Sequence, residues 1–246
     1  MERFTDLLFL AQVAVLFGVL SWWLTPTRHP GAIMLAVTLW VALLGFLSLR
    51  GVFGDFRSVP PRILPAVLVP LIAGLLLLRS AGGRELLVRT PPQWPIYAQS
   101  FRIVMEIILW LLFVQHRVPA IMTFEGRNAD ILVGLTAIPV GYLCFVRKTW
   151  SPRVALWWNV AGILILLNVV VHAQLSTPSP LRVFVTDPPV TFIAYWPYIL
   201  LPGFLVPLAW LLHAASLIQL RRSQSALPPK ATGHAVLDST TTRGHT

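Results

Sequence analysis

Residues 7–27 read LLFLAQVAVLFGVLSWWLTPT, a stretch of 21 residues without a charged side chain. About 20 apolar residues in a helix span the roughly 30 Å hydrocarbon core of a bilayer, so this stretch predicts a transmembrane helix. The residues before it contain Glu2 and Asp6 as well as Arg3, and no Ala-x-Ala site follows. Because a cleaved signal peptide needs a positive start and such a site, we expect a retained first helix.

Six further apolar runs follow along the chain. Together with the first run they predict an all-α polytopic transmembrane bundle of seven helices. The expected helices lie at about 7–27, 31–49, 61–79, 97–116, 129–147, 153–174 and 197–220. Pro197 is expected to open the last helix, because proline suits a first helical position. Residues 221–246 are rich in Ser, Thr, Pro and Gly and predict a disordered cytoplasmic tail.

The overall composition agrees with a membrane location. Of the 246 residues, 56% are hydrophobic and 11% are charged, against about 25% charged residues in an average soluble domain. So few charges could not cover a soluble core, which excludes an ordinary soluble enzyme, a disordered chain and a free nucleic-acid-binding protein. The net charge of +10 comes from short cationic clusters between apolar runs, as expected of loops that face anionic lipid.

The distribution of cations predicts an orientation, because cytoplasmic loops carry an excess of Lys and Arg. With the N-terminus outside, twelve of the 19 Lys and Arg lie on the cytoplasmic side. The N-out, C-in arrangement is therefore favoured, although Arg50, Arg57 and Arg62 in one outer loop run against it.

Prolines are frequent in the last predicted helix, where Pro197, Pro202 and Pro207 are spaced by five residues. Each internal proline removes a backbone hydrogen bond and tends to kink a helix. These positions predict either a hinge with open backbone or static kinks that serve packing.

Glu106 is the one acidic residue well inside a predicted span, and an intramembrane charge is a default candidate for function. Arg102 shares its helix face four residues earlier, so the two could neutralise each other for packing, or form a gating pair or a proton-accepting site. Asn159 and His213 lie at a similar depth, roughly 9–12 Å from the cytoplasmic end at 1.5 Å per residue. We expect these four residues to form an intramembrane polar site if their helices adjoin. Otherwise His213 makes a helix-to-helix hydrogen bond.

A second polar group is expected near the outer face. Glu125, Arg127 and Asp130 could contact a polar ligand or ion, or could lock their own loop through hydrogen bonds. Asn128 or Asp130 would suit the N-cap of the fifth helix. The whole predicted outer patch consists of His116, Glu125, Arg127, Asn128, Asp130, Asn168 and His172.

Motifs for nucleotide or cofactor chemistry are missing from the sequence, which has no phosphate-binding loop, nucleophile elbow or dinucleotide fingerprint. His116 and His172 could in principle ligate haem iron, and the acidic and histidine side chains of the outer patch could hold zinc. No spaced pair of the His-Glu-x-x-His type occurs. We therefore predict no catalytic residue and no cofactor, with haem or zinc as a minor alternative. A single cysteine, Cys144, excludes an internal disulfide.

Three stretches resemble an uncharacterised family of bacterial multi-pass membrane proteins. They are SFRIVMEIILW at 100–110, TFEGRNADILVGLTA at 123–137 and YWPYILLPGFLVPLAWLLH at 195–213. The resemblance extends from Gln99 to Gln219. It implies a bacterial cytoplasmic membrane and brings no activity with it.

Three classes of function stay open. The first is a membrane protein that binds or moves a small molecule or ion through the intramembrane polar site, with the outer patch as its entrance. The second is a non-catalytic accessory or sensor subunit that works through another membrane protein. The third, less favoured, is a membrane-embedded metal or haem enzyme. The lipid bilayer is the expected partner in each case, and nucleic acid in none.

Overall fold

The computed structural model describes residues 1–225, and the regular structure in this range is entirely helical. The helices are α1 Glu2–Leu24, α2 Pro30–Leu49, α3 Leu64–Arg79, α4 Ala81–Arg89, α5 Trp94–Ala98, α6 Phe101–Val114, α7 Asp130–Gly141, α8 Pro152–Ser176 and α9 Val206–Ser225. Two π-helical segments adjoin them, Tyr142–Val146 after α7 and Leu201–Leu205 before α9. The all-α class predicted from the sequence is confirmed.

Five helical segments of the described range are long and apolar enough to cross a membrane: Glu2–Leu24, Pro30–Leu49, Trp94–Val114, Pro152–Ser176 and Leu201–Arg222. α3 and α4 pass the same test together but meet at a bend of 77°, and would make a sixth. The segment Asp130–Val146, which is α7 with its π-helical extension, is shorter than these. The length and composition of five or six helical segments are thus compatible with a polytopic membrane protein.

The early helices differ from the predicted bounds for local reasons. α1 begins at Glu2 rather than at residue 7, because an acidic side chain is favourable in the first turn of a helix. α3 ends at Arg79, and the Ser80 Oγ accepts a hydrogen bond from the Gly83 backbone N–H at 3.1 Å. This cap starts α4 where a loop was predicted.

The last span begins at Leu201, and the prediction that Pro197 opens it was wrong. The Leu200 N–H bonds three residues back to the Pro197 carbonyl at 3.1 Å, as in a turn. Pro202 has no N–H with which to continue a regular helix from that point. At the other end α9 passes residue 221, the expected start of the tail, and continues to Ser225. The rest of the predicted tail lies outside the described residues.

Contacts between distant segments define the two ends of the bundle. At one end, Asp6 Oδ1 accepts hydrogen bonds from Arg117 Nη1 at 2.9 Å and from Tyr198 Oη at 2.5 Å. At the other end, Gln219 Nε2 donates to the Leu87 carbonyl at 2.9 Å. We call these the Asp6 end and the Gln219 end.

The helices that contain α6 and α9 lie at the centre of the bundle. Within the most apolar stretch of each span, 56% of the residues are buried in Leu201–Arg222 and 44% in Trp94–Val114, against 17% in α2. The largest buried apolar cluster joins these two central helices to α1. Polar side chains that are buried at such central positions need hydrogen-bond partners within the protein.

Candidate functional site

The chain between α6 and α7 folds back into the bundle. Met122 and Thr123 in this segment are buried. Asp130, the first residue of α7, reaches Arg102 in the first turn of α6. Because α5 precedes α6 in the same span, Arg102 lies well inside that span. α7 therefore begins inside the bundle, which explains why Asp130–Val146 is short.

Arg102 contacts two buried partners on two other helices. Its Nη1 donates to Asp130 Oδ1 at 2.6 Å, and its Nη2 lies 3.2 Å from His213 Nε2 on α9. The exposed fractions of Arg102, Asp130 and His213 are 1%, 8% and 0%. A guanidinium group has donors only, so His213 Nε2 accepts this hydrogen bond.

His213 continues the hydrogen bonds to α8. Its Nδ1 lies 2.8 Å from Asn159 Oδ1, and because Nε2 accepts, the neutral ring carries its proton on Nδ1 and donates it to Asn159. Asn159 Nδ2 donates in turn to Ser216 Oγ at 2.9 Å and to the Ala155 carbonyl at 2.7 Å. Gly162 makes room for the imidazole, since a Cβ there would lie 2.4 Å from His213 Cε1.

Glu106 joins the same group through Asn128. Asn128 Nδ2 donates to Glu106 Oε1 at 2.5 Å, and Asn128 Oδ1 accepts from the Asp130 N–H at 2.9 Å. Glu106 is 1% exposed, and its Oε2 has no hydrogen-bond partner among the described residues. We use the name polar chain for the six residues Glu106, Asn128, Asp130, Arg102, His213 and Asn159.

All four residues of the predicted intramembrane site belong to the polar chain, but their pairing differs from the one considered from the sequence. Arg102 forms its ion pair with Asp130 and none with Glu106. Asn128 and Asp130 belong to this inner group and not to the outer patch where the sequence placed them. The physical reason is the inward fold of residues 115–129, which sequence spacing does not reveal. The short apolar run at 118–122, VPAIM, is the one sequence signal that could have suggested it.

A cavity of about 230 Å³ adjoins the polar chain. Arg102, Glu106, Asn128 and Asp130 line it, and apolar side chains of α3, α8 and the last span form most of its remaining wall. Trp210 also lines the cavity, and its indole Nε1 is buried without a hydrogen-bond partner among the described residues. His213 and Asn159 are not among the lining residues, so they support Arg102 from behind.

The polar chain contains one cation and two carboxylates. Asp130 compensates Arg102 by direct contact, which leaves Glu106 as the formal excess of negative charge. An uncompensated charge in apolar surroundings is costly. A proton, a cation or the hydrogen-bond donor of a ligand could compensate the Glu106 carboxylate.

The remaining residues of the predicted outer patch make separate contacts near the Asp6 end. Trp110 Nε1 donates to Glu125 Oε1 at 2.7 Å. The guanidinium carbon of Arg127 lies 5.2 Å from the centroid of the Phe184 ring, and the Arg127 carbonyl accepts from Asn168 Nδ2 at 3.1 Å. These contacts attach the loop between α6 and α7 to its neighbours.

The two histidines of the outer patch have different surroundings. His172 stacks on Phe184 with ring centroids 5.1 Å apart, and its Nδ1 lies 2.8 Å from the Asn168 carbonyl oxygen. His116 is exposed and has a φ of 56°, in the left-handed region. Within residues 1–225, no three His, Cys, Asp or Glu side chains group closely enough to hold a metal ion.

Sequence reasoning also missed the ion pair between Arg117 and Asp6 at 2.9 Å, which is partly exposed. Tyr198 donates to the same carboxylate oxygen at 2.5 Å. Burial, followed by this hydrogen bond, raises the pKa of the Tyr198 phenol. The three residues connect α1, the chain after α6 and the segment before the last span.

The described residues thus define an all-α bundle with five or six candidate membrane spans and a buried chain of charged and polar groups. The protein belongs to DUF8737, a family defined by a domain of unknown function, whose sequence profile matches residues 63–221. The match contains the whole polar chain and leaves α1 and α2 outside. No curated protein and no solved structure shows a significant match. The resemblance to an uncharacterised family is confirmed.

Proposed function

We propose that this is an integral membrane protein that binds a small molecule or ion at the polar chain, or moves it across the membrane. We further propose seven helices in a bacterial cytoplasmic membrane, with the N-terminus outside and the C-terminus inside. We count Asp130–Val146 as the seventh helix although it is shorter than the other spans. Its first residue lies inside the bundle, and the loop before it folds back and spans the rest of the membrane thickness. In this proposed orientation the Asp6 end lies outside and the Gln219 end lies in the cytoplasm.

The observation that carries this proposal is the unpartnered Glu106 Oε2 beside the cavity. A buried polar atom without a partner costs about 1–3 kcal/mol, and such atoms in native proteins call for an explanation. A ligand in the cavity would supply the missing donor. The indole N–H of Trp210 offers a donor at the same wall. The mostly apolar lining favours an amphipathic ligand with a small polar or cationic head.

The backbone beside the cavity supports a conformational step in addition to binding. The π-helical segment Leu201–Leu205 contributes Leu201, Pro202 and Leu205 to the cavity wall. π-helical turns are rare and occur frequently at functional sites. A local change in this segment would alter the cavity without rebuilding the bundle, as movement of a ligand requires.

The test compares wild type with Glu106→Gln by native mass spectrometry after gentle extraction from the membrane of the source organism. We expect a small-molecule adduct of reproducible mass on wild type, and at least a tenfold lower occupancy in Glu106→Gln. Glu125→Gln is the matched control, because Glu125 is exposed and bonds to Trp110 outside the cavity. Equal occupancy in all three proteins would overturn the role of Glu106. A second polypeptide at fixed ratio without an adduct would favour the accessory-subunit hypothesis.

A further inference from the structure

A second cavity, of about 560 Å³, lies between α1, α2, α3 and the last span. Its volume falls within the range of about 300–1,000 Å³ that is usual for small-molecule sites. Every lining residue is apolar or aromatic, and small residues such as Ala36, Ala73 and Gly74 leave room between α2 and α3. None of the six residues of the polar chain lines it, so the two cavities are separate sites.

The tryptophans of this cavity offer no free donor to a ligand. Trp23 Nε1 donates to Thr90 Oγ1 at 2.8 Å, and Trp40 Nε1 donates to the Gly203 carbonyl at 2.9 Å. The cavity itself can therefore recognise only apolar groups, such as the methylene groups of an acyl chain.

Cations gather at the mouth of this cavity at the Gln219 end. Arg28 lies in the turn between α1 and α2, Arg79 directly follows the lining residue Leu78, and Arg84 lies in α4. The turn and α4 are adjacent, since a Cβ on Gly82 would lie 3.9 Å from the Arg28 backbone nitrogen.

These three arginines are available to an anion. Arg28, Arg79 and Arg84 are exposed, and none of them forms an ion pair within residues 1–225. The nearby carboxylate of Glu85 already pairs with Arg89 at 2.7 Å. The mouth is thus positive, and guanidinium groups bind phosphate oxygens well.

We propose that this cavity holds an acyl chain of an anionic phospholipid, whose phosphate is bound by Arg28, Arg79 and Arg84. The apolar cavity matches the acyl chain of such a lipid, and the unpaired cations at its mouth match the phosphate. An uncharged apolar ligand would make no contact with the cations, and a free anion would make no use of the apolar cavity. The 77° bend after α3 turns α4 across the end of the bundle, which is the headgroup level in the proposed membrane arrangement. The proposal rests on the proposed membrane location but not on the role of the polar chain.

The test uses the full chain, stripped of lipid in detergent and reconstituted with equal amounts of phosphatidylglycerol and phosphatidylcholine. Native mass spectrometry then counts the lipids that survive collisional activation. We expect wild type to retain one phosphatidylglycerol. Arg28→Gln with Arg84→Gln should lower phosphatidylglycerol occupancy at least fivefold, because two of the three cations that bind the headgroup phosphate are removed. Ala73→Phe should do the same through the cavity, because Ala73 is exposed there and its replacement disturbs no buried packing.

The matched control is Arg50→Gln with Arg57→Gln, two exposed cations near the Asp6 end, which should leave occupancy unchanged. Circular dichroism of each variant identifies any loss of fold. Equal retention of the two lipids by wild type, or retention that neither variant changes, would overturn the proposal. So would displacement of the lipid by inorganic phosphate alone, or a lipid-free dimer that uses this surface. Glu106→Gln should retain the lipid, so this proposal and the proposed function fail independently.

Discussion

Arg102 pairs with Asp130 on α7 at 2.6 Å, although Glu106 lies one turn further along the same helix as Arg102. The pair joins α6 to α7, and the second nitrogen of Arg102 extends the connection to His213 on the last span. Three helices therefore meet at one guanidinium group. Because the group is buried, the fold depends on each of its partners.

We expect Asp130→Asn to destabilise the protein strongly. Removal of one member of a buried ion pair leaves the other charge uncompensated and costs about 3–5 kcal/mol. The free energy of unfolding in detergent, measured by denaturant titration, checks this. Replacing both partners with apolar residues, as in Arg102→Met with Asp130→Leu, should recover part of the loss, because no charge is then left uncompensated but His213 Nε2 loses its donor.

The matched control for this prediction is Asp55→Asn. Asp55 pairs with Arg62 at 2.8 Å, but both side chains are 40% or more exposed, and exposed pairs contribute about 0–1 kcal/mol. If Asp130→Asn and Asp55→Asn lower the free energy of unfolding by similar amounts, the Arg102–Asp130 pair contributes no more to stability than an exposed pair.

We expect His213 to be neutral with its proton on Nδ1. Arg102 can only donate to Nε2, and the side-chain Oδ1 of Asn159 is placed to accept from Nδ1 at 2.8 Å. The ¹⁵N chemical shifts of histidine-labelled protein distinguish the two tautomers, and His213→Gln assigns the signal. A proton on Nε2 would contradict the Arg102–His213 hydrogen bond.

We expect Gly162→Ala to displace the His213 ring and to destabilise the protein by about 1–3 kcal/mol, as overpacking does. The added methyl group would lie 2.4 Å from His213 Cε1 and 2.6 Å from His213 Nε2. Gly18→Ala in α1 is the control, because no atom lies within 4 Å of its Cβ position. Denaturant titration and the His213 ¹⁵N signal measure both effects. A Gly162→Ala protein as stable as Gly18→Ala, with an unchanged His213 signal, would refute the close contact.

The sequence predicted that Glu106, His213 and Asn159 could belong to one polar group, but it did not predict which residues would pair. A constant rise per residue places Glu106, His213 and Asn159 at similar depth, and all three belong to the polar chain. Helix rotation and loop paths depend on tertiary packing instead. The inward fold that brings Asn128 and Asp130 to Arg102 leaves no periodic signal.

Helix bounds show the same division between local and tertiary effects. Apolar runs located every candidate span, because length and hydropathy are local properties. α4 was missed although its start is a local signal, the Ser80 cap on Gly83, because a search for apolar runs of about 20 residues does not detect a helix of nine residues. The start at Leu201 in place of Pro197 follows from the position of Pro202, whose missing N–H breaks the regular pattern.

We expect the Asp6 end to face outward in the membrane. Val59 lies in the loop at that end and Thr149 at the opposite end, and both are exposed. The one native cysteine, Cys144, is buried. Val59→Cys and Thr149→Cys leave the net charge unchanged, so they do not bias orientation. On right-side-out vesicles, a membrane-impermeant maleimide should label Val59→Cys and not Thr149→Cys. The reverse pattern would contradict the N-out arrangement.

We expect a hydrophobic carbodiimide to label Glu106 in preference to Glu125. Carbodiimides add to protonated carboxyl groups and reach those in apolar surroundings. Glu106 is 1% exposed at the wall of a mostly apolar cavity, with one oxygen unpartnered among the described residues. When no ligand is bound, a proton on Glu106 removes the energetic cost of an uncompensated buried charge. Glu125 is exposed, accepts a hydrogen bond from the indole N–H of Trp110 at 2.7 Å and does not line the cavity, so the hydrophobic reagent has no apolar pocket beside it.

Peptide mass mapping after labelling of the ligand-free protein measures the two sites. We expect at least tenfold more adduct on Glu106, and loss of that adduct in Glu106→Gln. A small amphipathic cation such as hexylammonium should lower labelling of Glu106 if it occupies the cavity, because its charge would replace the proton. Equal labelling of both glutamates, or an adduct on Glu106 that the cation leaves unchanged at saturation, would count against a cation-binding carboxylate. In that case the Asn128 hydrogen bond would be the main role of Glu106, and the polar chain would serve helix packing.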